Sequence, residues 1–342
     1  MQYNNILIVR LSAIGDIVMA SGLISALKAR YPEAKLSWLA EPAGATLLQQ
    51  NPLLDEVILW PRNEWQKVRK AQGIIALLKL VNSFKKQLAS RQFDLVIDAQ
   101  GLLKSGVLAW LSGAQYKVGI NSREGSQWLM NKVVTSPWSA DISSEYRAAA
   151  TFFGVPEAAF QYSLIASKET QQHTEALLLE HTQGQPYVVF CPFTTRAQKH
   201  WVDEHWRELY KQVNQSICVH IIILGGPSDI AHSERLEKQM PGIINLTGKT
   251  TLLECSEIIR GAKGVIGVDT GLTHMAMVHH TPVIALFGST LPYENTFNPN
   301  GRVLSDKLAC SPCKRRPTCE DRFDCMVGLT PQRVSSALGE VL

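Results

Sequence analysis

Acidic side chains follow short apolar runs in this sequence, and the first of them could accept a proton. Asp16 comes soon after the apolar run that ends at Val9, and it stands beside Gly15. A carboxylate placed at the end of a strand can deprotonate an acceptor hydroxyl. Asp16 could equally cap the helix that follows, since Asp is favoured at helix N-caps.

Hydroxyl and cationic side chains follow the apolar run that ends at Cys191. Thr194, Thr195 and Lys199 all lie within a few residues of it. Hydroxyls and a lysine ammonium suit phosphate oxygens, so this pattern favours a phosphate-binding loop. A solvated basic loop is the alternative interpretation.

The segment 264–274 has the pattern of a buried strand that runs into a helix. A strand ending at Asp269 would be followed by a helix that starts near Gly271. The free N–H groups of a helix start bind anions, and a glycine lets a phosphate approach the backbone. His274 would face the ligand from the first turn. Simple capping by Asp269 and Thr270 is the alternative.

Another strand-to-helix turn carries Gly225 and Gly226 shortly before Asp229. An acidic side chain in that place could accept hydrogen bonds from the ribose hydroxyls of a nucleotide. A Gly-Pro turn followed by a capping residue explains the same pattern without a ligand.

The segment 62–91 is strongly basic, with eight Lys and Arg residues against a single acid, Glu64. Apolar residues are interleaved with the cations, and such a stretch suits an anionic membrane surface or a phosphorylated lipid acceptor. A solvated helix face is the alternative. The formal net charge of +4 is mild, and no nucleic-acid-binding motif is present, so we expect no nucleic-acid partner.

Four of the seven cysteines lie close together near the end of the sequence. In a reducing compartment, such a cluster suggests a metal before disulfides, and four thiolates could make a structural zinc site, although the usual ligand pairs are spaced differently. Unligated thiols, or an occasional disulfide, are the alternative. The clustered residues are Cys310, Cys313, Cys319 and Cys325. The scattered cysteines are typical of small buried hydrophobes, and they are Cys191, Cys218 and Cys255.

The elements that must position these side chains alternate between β-branched runs and helical stretches, which is typical of parallel α/β sheets. The strands predicted in the first half are 5–9, 35–39, 57–60, 95–98 and 117–119. Those predicted in the second half are 187–191, 220–224, 243–246, 264–268 and 283–286. The main predicted helices are 17–30, 66–90, 103–111 and 169–182.

The length of 342 residues and the hydrophobic content of 45% suit two domains, each with its own core. We predict domains at 1–160 and 161–342, with the last helix returning to the first domain. Ligands are expected between the carboxyl ends of the two sheets. The first residues lack a secretory signal, and no apolar run is long enough to span a bilayer, so we expect a cytosolic protein.

Four motifs, in this order, resemble those of the lipopolysaccharide heptosyltransferases, glycosyltransferase family 9, and most closely its first-heptose members. They are LSAIGDIV at 11–18, DAQGLLKS at 98–105, TTRAQKHW at 194–201 and VDTGLTH at 268–274. The resemblance covers nearly the whole chain. It implies the GT-B fold, in which two Rossmann-like domains face each other across a cleft, with the acceptor on the first and the donor nucleotide on the second.

The resemblance also implies a reaction. L-glycero-D-manno-heptose would pass from ADP-heptose to Kdo of Kdo-lipid A, with inversion and without a metal or other cofactor. The enzyme would be peripheral on the cytosolic face of the inner membrane. Two alternatives remain: another GT-B transferase, such as the second-heptose enzyme, or a nucleotide-sugar-binding module without catalysis.

The resemblance assigns roles to individual residues. Asp16 would be the general base, and Lys199 would balance the negative charge of the departing diphosphate. The donor contacts would be Thr194, Thr195, Asp229, Asp269, Thr270, Gly271 and His274. The acceptor contacts would be Arg62, Lys104 and Arg123.

Overall fold

The computed structural model describes residues 2–137, 139–216, 219–290, 292–313 and 316–342. It forms two compact units that divide between Ile165 and Ala166, except that residues 140–142 belong to the second. The first unit extends past the predicted boundary at 160 because one of its side chains binds the segment that follows. Asn51 donates to the backbone and hydroxyl oxygens of Ser163, both at 2.8 Å.

The first unit is built on a parallel sheet whose strands run in the order β3-β2-β1-β4-β5-β6. Its central strand β1 is buried from Ile6 to Val9, as a strand covered on both faces must be. The sixth strand was not predicted, because three residues at a sheet edge leave little pattern to read. The strands are β1 (Asn5–Val9), β2 (Lys35–Ala40), β3 (Glu56–Leu59), β4 (Leu95–Asp98), β5 (Tyr116–Ile120) and β6 (Lys132–Val134).

Helices connect these strands and cover the sheet. The predicted helix at 17–30 is two helices, because the N–H of Ser21 bonds to Val18 O, which tightens the turn between them. The helices are α1 (Ile14–Ala20), α2 (Gly22–Arg30), α3 (Pro42–Ala45), α4 (Arg62–Ala89), α5 (Leu103–Leu111) and α6 (Ser144–Phe152).

Helix α4 is interrupted at Gly73, which has φ 81° and ψ −173°. Glycine adopts such a conformation without the steric cost that a Cβ would bring. The basic stretch is therefore two helical segments rather than one continuous helix.

The second unit repeats the plan with a parallel sheet ordered β12-β11-β10-β7-β8-β9. Strands β7, β10 and β11 are buried along their whole length. Their residues are therefore mostly apolar, which is why the sequence predicted these strands. The strands are β7 (Tyr187–Cys191), β8 (His220–Ile223), β9 (Ile244–Asn245), β10 (Gly264–Val268), β11 (Val283–Phe287) and β12 (Gly301–Ser305).

The last helix belongs to the core of the second unit. Val334, Leu338 and Val341 pack there with residues of β10 and β11, whereas the sequence had suggested a return to the first domain. The helices of this unit are α7 (Lys168–Thr182), α8 (Asp203–Ser216), α9 (Ile230–Glu237), α10 (Leu252–Gly261), α11 (Gly271–Val278), α12 (Asp324–Val327) and α13 (Pro331–Val341).

In the described residues, the strands of both sheets are paired in parallel, so the expected α/β fold with two Rossmann-like units is confirmed. Among those residues, the structure contains no helix that is both long and apolar enough to cross a bilayer.

Candidate functional site

The general-base candidate lies in the first turn of α1, just beyond the carboxyl end of β1. The carboxylate of Asp16 forms an ion pair with Arg10, and its Oδ2 accepts a hydrogen bond from the N–H of Ala13 at 3.2 Å. Asp16 is therefore not the N-cap residue considered from the sequence: Ala13 is the N-cap, and Asp16 bonds back to it from the third helical position. The Asp16 side chain remains 39% exposed, so this contact leaves the carboxylate accessible from solvent.

A buried cation holds Asp16 in place. The guanidinium of Arg10 donates to Ala99 O at 2.9 Å, and its centre lies 6.0 Å from the ring centroid of Tyr146. Burial by itself would lower the pKa of Arg10, but Tyr146 and Asp16 outweigh burial and raise it. Arg10 therefore stays charged and fixes the carboxylate electrostatically.

The motif at 98–105 forms the turn between β4 and α5, and it is tied to the loop that carries Asp16. Gln100 Oε1 accepts a hydrogen bond from the N–H of Leu11 at 2.9 Å. Asp98 is buried and accepts from the N–H groups of Gln100 and Gly101, each at 3.1 Å. Burial raises the pKa of Asp98, although these hydrogen bonds oppose the rise. The two motifs thus form one hydrogen-bonded unit.

Two acceptor candidates meet at a single carboxylate. Glu41 Oε1 lies 3.6 Å from Arg62 Nη1 and 3.5 Å from Lys104 Nζ. The ammonium of Lys104 also lies 6.0 Å from the ring centroid of Trp60. Arg62 and Lys104 follow β3 and β4 respectively, so they lie at the same carboxyl end of the sheet as Asp16.

The third acceptor candidate, Arg123, follows β5 and has an exposed side chain. Its backbone N–H donates to Gly101 O at 2.8 Å, which ties its loop to the 98–105 turn. Gly101 has φ 65°, and a Cβ there would come within 2.4 Å of Ile120 O. Only glycine permits this close approach between the two loops.

In the second unit, Asp269 is the centre of the donor candidates. Its Oδ2 lies 2.5 Å from Lys199 Nζ and accepts from the hydroxyl of Thr290 at 2.6 Å. Its Oδ1 lies 3.3 Å from His274 Nε2. Burial alone would raise the pKa of Asp269, but His274 and Lys199 together hold it well below its ordinary value. Asp269 is therefore a fixed anion that orients a cation and an imidazole.

The start of α11 keeps its backbone amides available for an anion. Thr270 occupies the N-cap with extended backbone angles, and its side chain makes no capping hydrogen bond in the described structure. The hydroxyl of Thr273 instead donates to Val268 O at 2.6 Å, which joins the helix to its strand. Gly271 opens the first turn, where N–H groups lack helical partners.

The two threonines after β7 line a pocket of about 620 Å³ within the second unit. Polar groups on its wall include His200, whose Nε2 lies 2.8 Å from Thr194 O. Burial lowers the pKa of His200. On the other side, Phe323 and Met326 give an apolar wall. A pocket of this size with mixed walls suits part of a nucleotide sugar.

Comparison with known proteins identifies the family of the chain. The sequence profile of glycosyltransferase family 9 (heptosyltransferase) matches residues 81–323, well over half of the chain. The chain belongs to glycosyltransferase family 9.

Individual relatives in family 9 cover the whole chain. Lipopolysaccharide heptosyltransferase 1 of Pseudomonas aeruginosa is 27% identical over 98% of each chain. Lipopolysaccharide heptosyltransferase 2 of Salmonella typhimurium is 24% identical, also over 98% of each. The solved structure of E. coli heptosyltransferase WaaC with ADP-2-deoxy-2-fluoro heptose has a TM-score of 0.76 and 25% identity, and it covers 99% of this chain and 100% of that one. The predicted family is confirmed, and so is the GT-B fold class.

One donor candidate of this family 9 chain is engaged within its own turn. Asp229 Oδ2 accepts from the N–H of Gly226 at 2.9 Å, and Ser228 donates to Oδ1 at 3.4 Å. The capping alternative is therefore realised at Asp229, and a ribose would have to share the carboxylate with the turn.

The clustered cysteines are free thiols. The pKa of Cys325 is raised to about 11, mainly by burial. Smaller contributions come from the neighbouring Cys313, Cys310 and Cys319. Among the described residues, no group of three or more His, Cys, Asp and Glu side chains could hold a metal ion. In this conformation the four thiols are unligated, and the structural zinc site considered from the sequence stays a prediction. Cys191 and Cys255 are buried as predicted, while Cys218 lies outside the described residues.

Sequence reasoning missed several partners that orient the candidates. Tyr293 is one of them, since its hydroxyl lies 2.9 Å from His274 Nδ1. Most of them follow other strands or precede a motif. Gln100 lies within the motif at 98–105, but no spacing pattern indicated its role. The missed residues are Arg10, Glu41, Gln100, Thr290 and Tyr293.

Proposed function

We propose that this chain transfers L-glycero-D-manno-heptose from ADP-heptose to a Kdo hydroxyl of the lipopolysaccharide inner core, with inversion at the anomeric carbon. Membership of the heptosyltransferase family supports the reaction class. The residue roles rest on the arrangement of charges at the carboxyl ends of the strands in each sheet.

The donor side uses the groups around Asp269. The α11 amides and the hydroxyls of Thr194 and Thr195 hold the diphosphate, and the pocket beside them takes part of the donor. His274 and Asp269 position the heptose. Asp229 contributes a ribose contact from its turn. Lys199 is the group that neutralises charge, since the diphosphate gains negative charge as its bond to the sugar breaks.

The acceptor side uses the groups around Glu41. Arg62, Lys104 and Arg123 bind the carboxylate and phosphate groups of the inner core. Asp16 accepts the proton of the attacking Kdo hydroxyl while the new glycosidic bond forms and ADP leaves. Arg10 positions that carboxylate through its ion pair.

One observation carries this proposal: Lys199 is held 2.5 Å from a buried carboxylate, beside the start of α11. A module that only bound a nucleotide sugar would need no proton acceptor such as Asp16 on its other domain. The mechanism requires both groups to reach the same sugar.

The test compares wild type with Asp16→Asn and Asp16→Ala for transfer from ADP-heptose to Kdo-lipid A. We expect the turnover rate to fall by about a thousandfold, because the proton acceptor is lost. The affinity for ADP, measured by calorimetry, should stay near the wild-type value. Glu33→Gln, an exposed acid of the same domain, is the matched control. If Asp16→Asn lost ADP binding but kept its rate per bound complex, Asp16 would be structural.

A narrower inference is that the chain adds the first heptose. The support for this inference is the motif at 98–105, which most resembles that of first-heptose members. The test measures the rate of heptose transfer to Kdo-lipid A and, separately, to heptosyl-Kdo-lipid A. Preference for the heptosylated acceptor would reassign the enzyme to the second step. A lipid-linked acceptor also implies work at the cytosolic face of the inner membrane.

A further inference from the structure

Helix α5 is apolar on the side that faces away from its own sheet. Leu103, Val107 and Trp110 are 47%, 38% and 51% exposed, and their spacing places them on one helical stripe. The opposite side, with Leu108 and Leu111, is buried in the core. A helix whose exposed stripe is also apolar needs a partner for that stripe.

The second segment of α4 extends this apolar surface. Ile74, Ile75 and Leu78 are all more than half exposed. The ammonium of Lys85 lies 5.6 Å from the ring centroid of Trp110, so α4 and α5 adjoin here. We call the surface of Ile74, Leu78, Lys85, Leu103, Val107 and Trp110 the α4–α5 face.

The tryptophan after β5 lies beside the same surface. Trp128 is 84% exposed. Its ring and Leu103 both lie within 4 Å of the place where a Cβ on Gly125 would stand. Exposed tryptophans and lysines are the side chains that settle at the boundary between headgroups and acyl chains.

The charge that α4 contributes to this face has one sign. Lys79, Lys85 and Lys86 are exposed on α4. The only acid between residues 62 and 91 is Glu64, at the far end of the helix. A second copy of the chain would bring these lysines against one another, whereas an anionic bilayer would complement them.

The face begins at the edge that holds the acceptor candidates. Helix α4 starts with Arg62 directly after β3, and Lys104 lies in the first turn of α5. A surface resting on lipid headgroups through these two helices would therefore keep the acceptor cations next to the membrane.

We propose that the α4–α5 face docks on an anionic phospholipid bilayer and so presents the acceptor edge to a lipid-linked substrate. This inference rests on the proposed function only in that the acceptor is a lipid. The apolar stripe enters the interfacial region, and the lysines bind the anionic headgroups.

The first experiment is flotation of the full chain with vesicles that contain no acceptor, made either of phosphatidylcholine alone or with phosphatidylglycerol. Wild type should float with the anionic vesicles. Val107→Gln/Trp110→Gln should weaken this partitioning by at least about tenfold. Lys85→Gln/Lys86→Gln should weaken it by about 25-fold, since each lysine is worth about fivefold. Leu179→Gln and Lys238→Gln, exposed positions of the second unit, are the matched controls.

The second experiment separates docking from catalysis. With a water-soluble Kdo acceptor, the face variants should keep the wild-type rate, while transfer to acceptor embedded in anionic vesicles should fall by about tenfold. Vesicle binding that is absent in wild type or unchanged in the variants would overturn the docking proposal. So would a wild-type dimer, seen by light scattering, that the variants dissociate. Vesicle binding without any heptose transfer would leave docking supported and reject the proposed reaction.

Discussion

The strands of each sheet present a carboxylate beyond their carboxyl ends, Asp16 in the first unit and Asp269 in the second, but in opposite surroundings. We call these two ends of the sheets the first and the second edge. Asp16 is 39% exposed and pairs with one buried cation, Arg10. Asp269 is only 11% exposed and is surrounded by Lys199, His274 and Thr290. The first is accessible from solvent, whereas the second is engaged on both oxygens by its neighbours.

This difference shows that residue type alone does not define a catalytic role. A carboxylate whose pKa is held low by a lysine and a histidine is a poor proton acceptor, and it is suited to orienting those neighbours. An accessible carboxylate with one fixed partner is suited to proton transfer. The comparison supports the proposal that the first edge carries out proton chemistry and the second neutralises charge.

The largest effect on the second edge should come from Lys199→Met. We expect turnover to fall by about a hundredfold to a thousandfold, because no cation then balances the departing diphosphate. Rapid-quench kinetics with saturating ADP-heptose measures the loss. Lys211→Met, an exposed lysine on α8, is the control. Addition of a chelator should leave the wild-type rate intact, and a strict requirement for a divalent metal would contradict the role of Lys199.

A smaller effect should come from the cations of the first edge. Arg62→Ala/Lys104→Ala should raise the KM for the acceptor by about tenfold with little change in kcat, since such half-exposed charges each contribute modestly to binding. Added salt should raise the wild-type KM for the acceptor and affect the variant less. A fall in kcat at unchanged KM would show that these cations act on the transition state.

The smallest effect concerns stability in acid. Because the pKa of Asp269 is depressed on folding, its contribution is complete above the unfolded-state pKa and is lost as the pH falls toward the folded value. Between about pH 6 and pH 3, wild type should lose about 1 kcal/mol more unfolding free energy than Asp269→Asn. Urea titrations at both pH values measure this. Parallel losses in the two proteins would show that the anion is not held as described.

Sequence patterns predicted the buried parts of the fold well. Strands β1, β4, β7 and β10 begin and end at the predicted residues, because long apolar runs bounded by polar or turn residues leave little choice. The break of α4 at Gly73 was missed, since a glycine within a helical pattern does not reveal its φ. Strand β6 was missed because it has only three residues, and β12 because it is a partly exposed edge strand without a continuous apolar run.

The candidate site was predictable only within each motif. Asp16, Lys199 and Asp269 stand at strand ends, where parallel sheets gather functional groups. Their partners come from elsewhere in the chain: Thr290 follows another strand than Asp269, and the Ala99 carbonyl that holds Arg10 is far away in sequence. Such pairs depend on strand order, which one sequence does not reveal.

The hydrogen bonds from Arg10 and Leu11 to the 99–100 turn have a mechanical consequence. They attach the loop that carries Asp16 to the turn before the N-terminus of α5. Helix α5 also carries Lys104 in its first turn and Trp110 on its exposed side. If the protein changes its tilt on a lipid surface, these parts move together as one rigid body. The spacing between the proton acceptor and the acceptor cation then stays constant while the substrate is drawn from the bilayer.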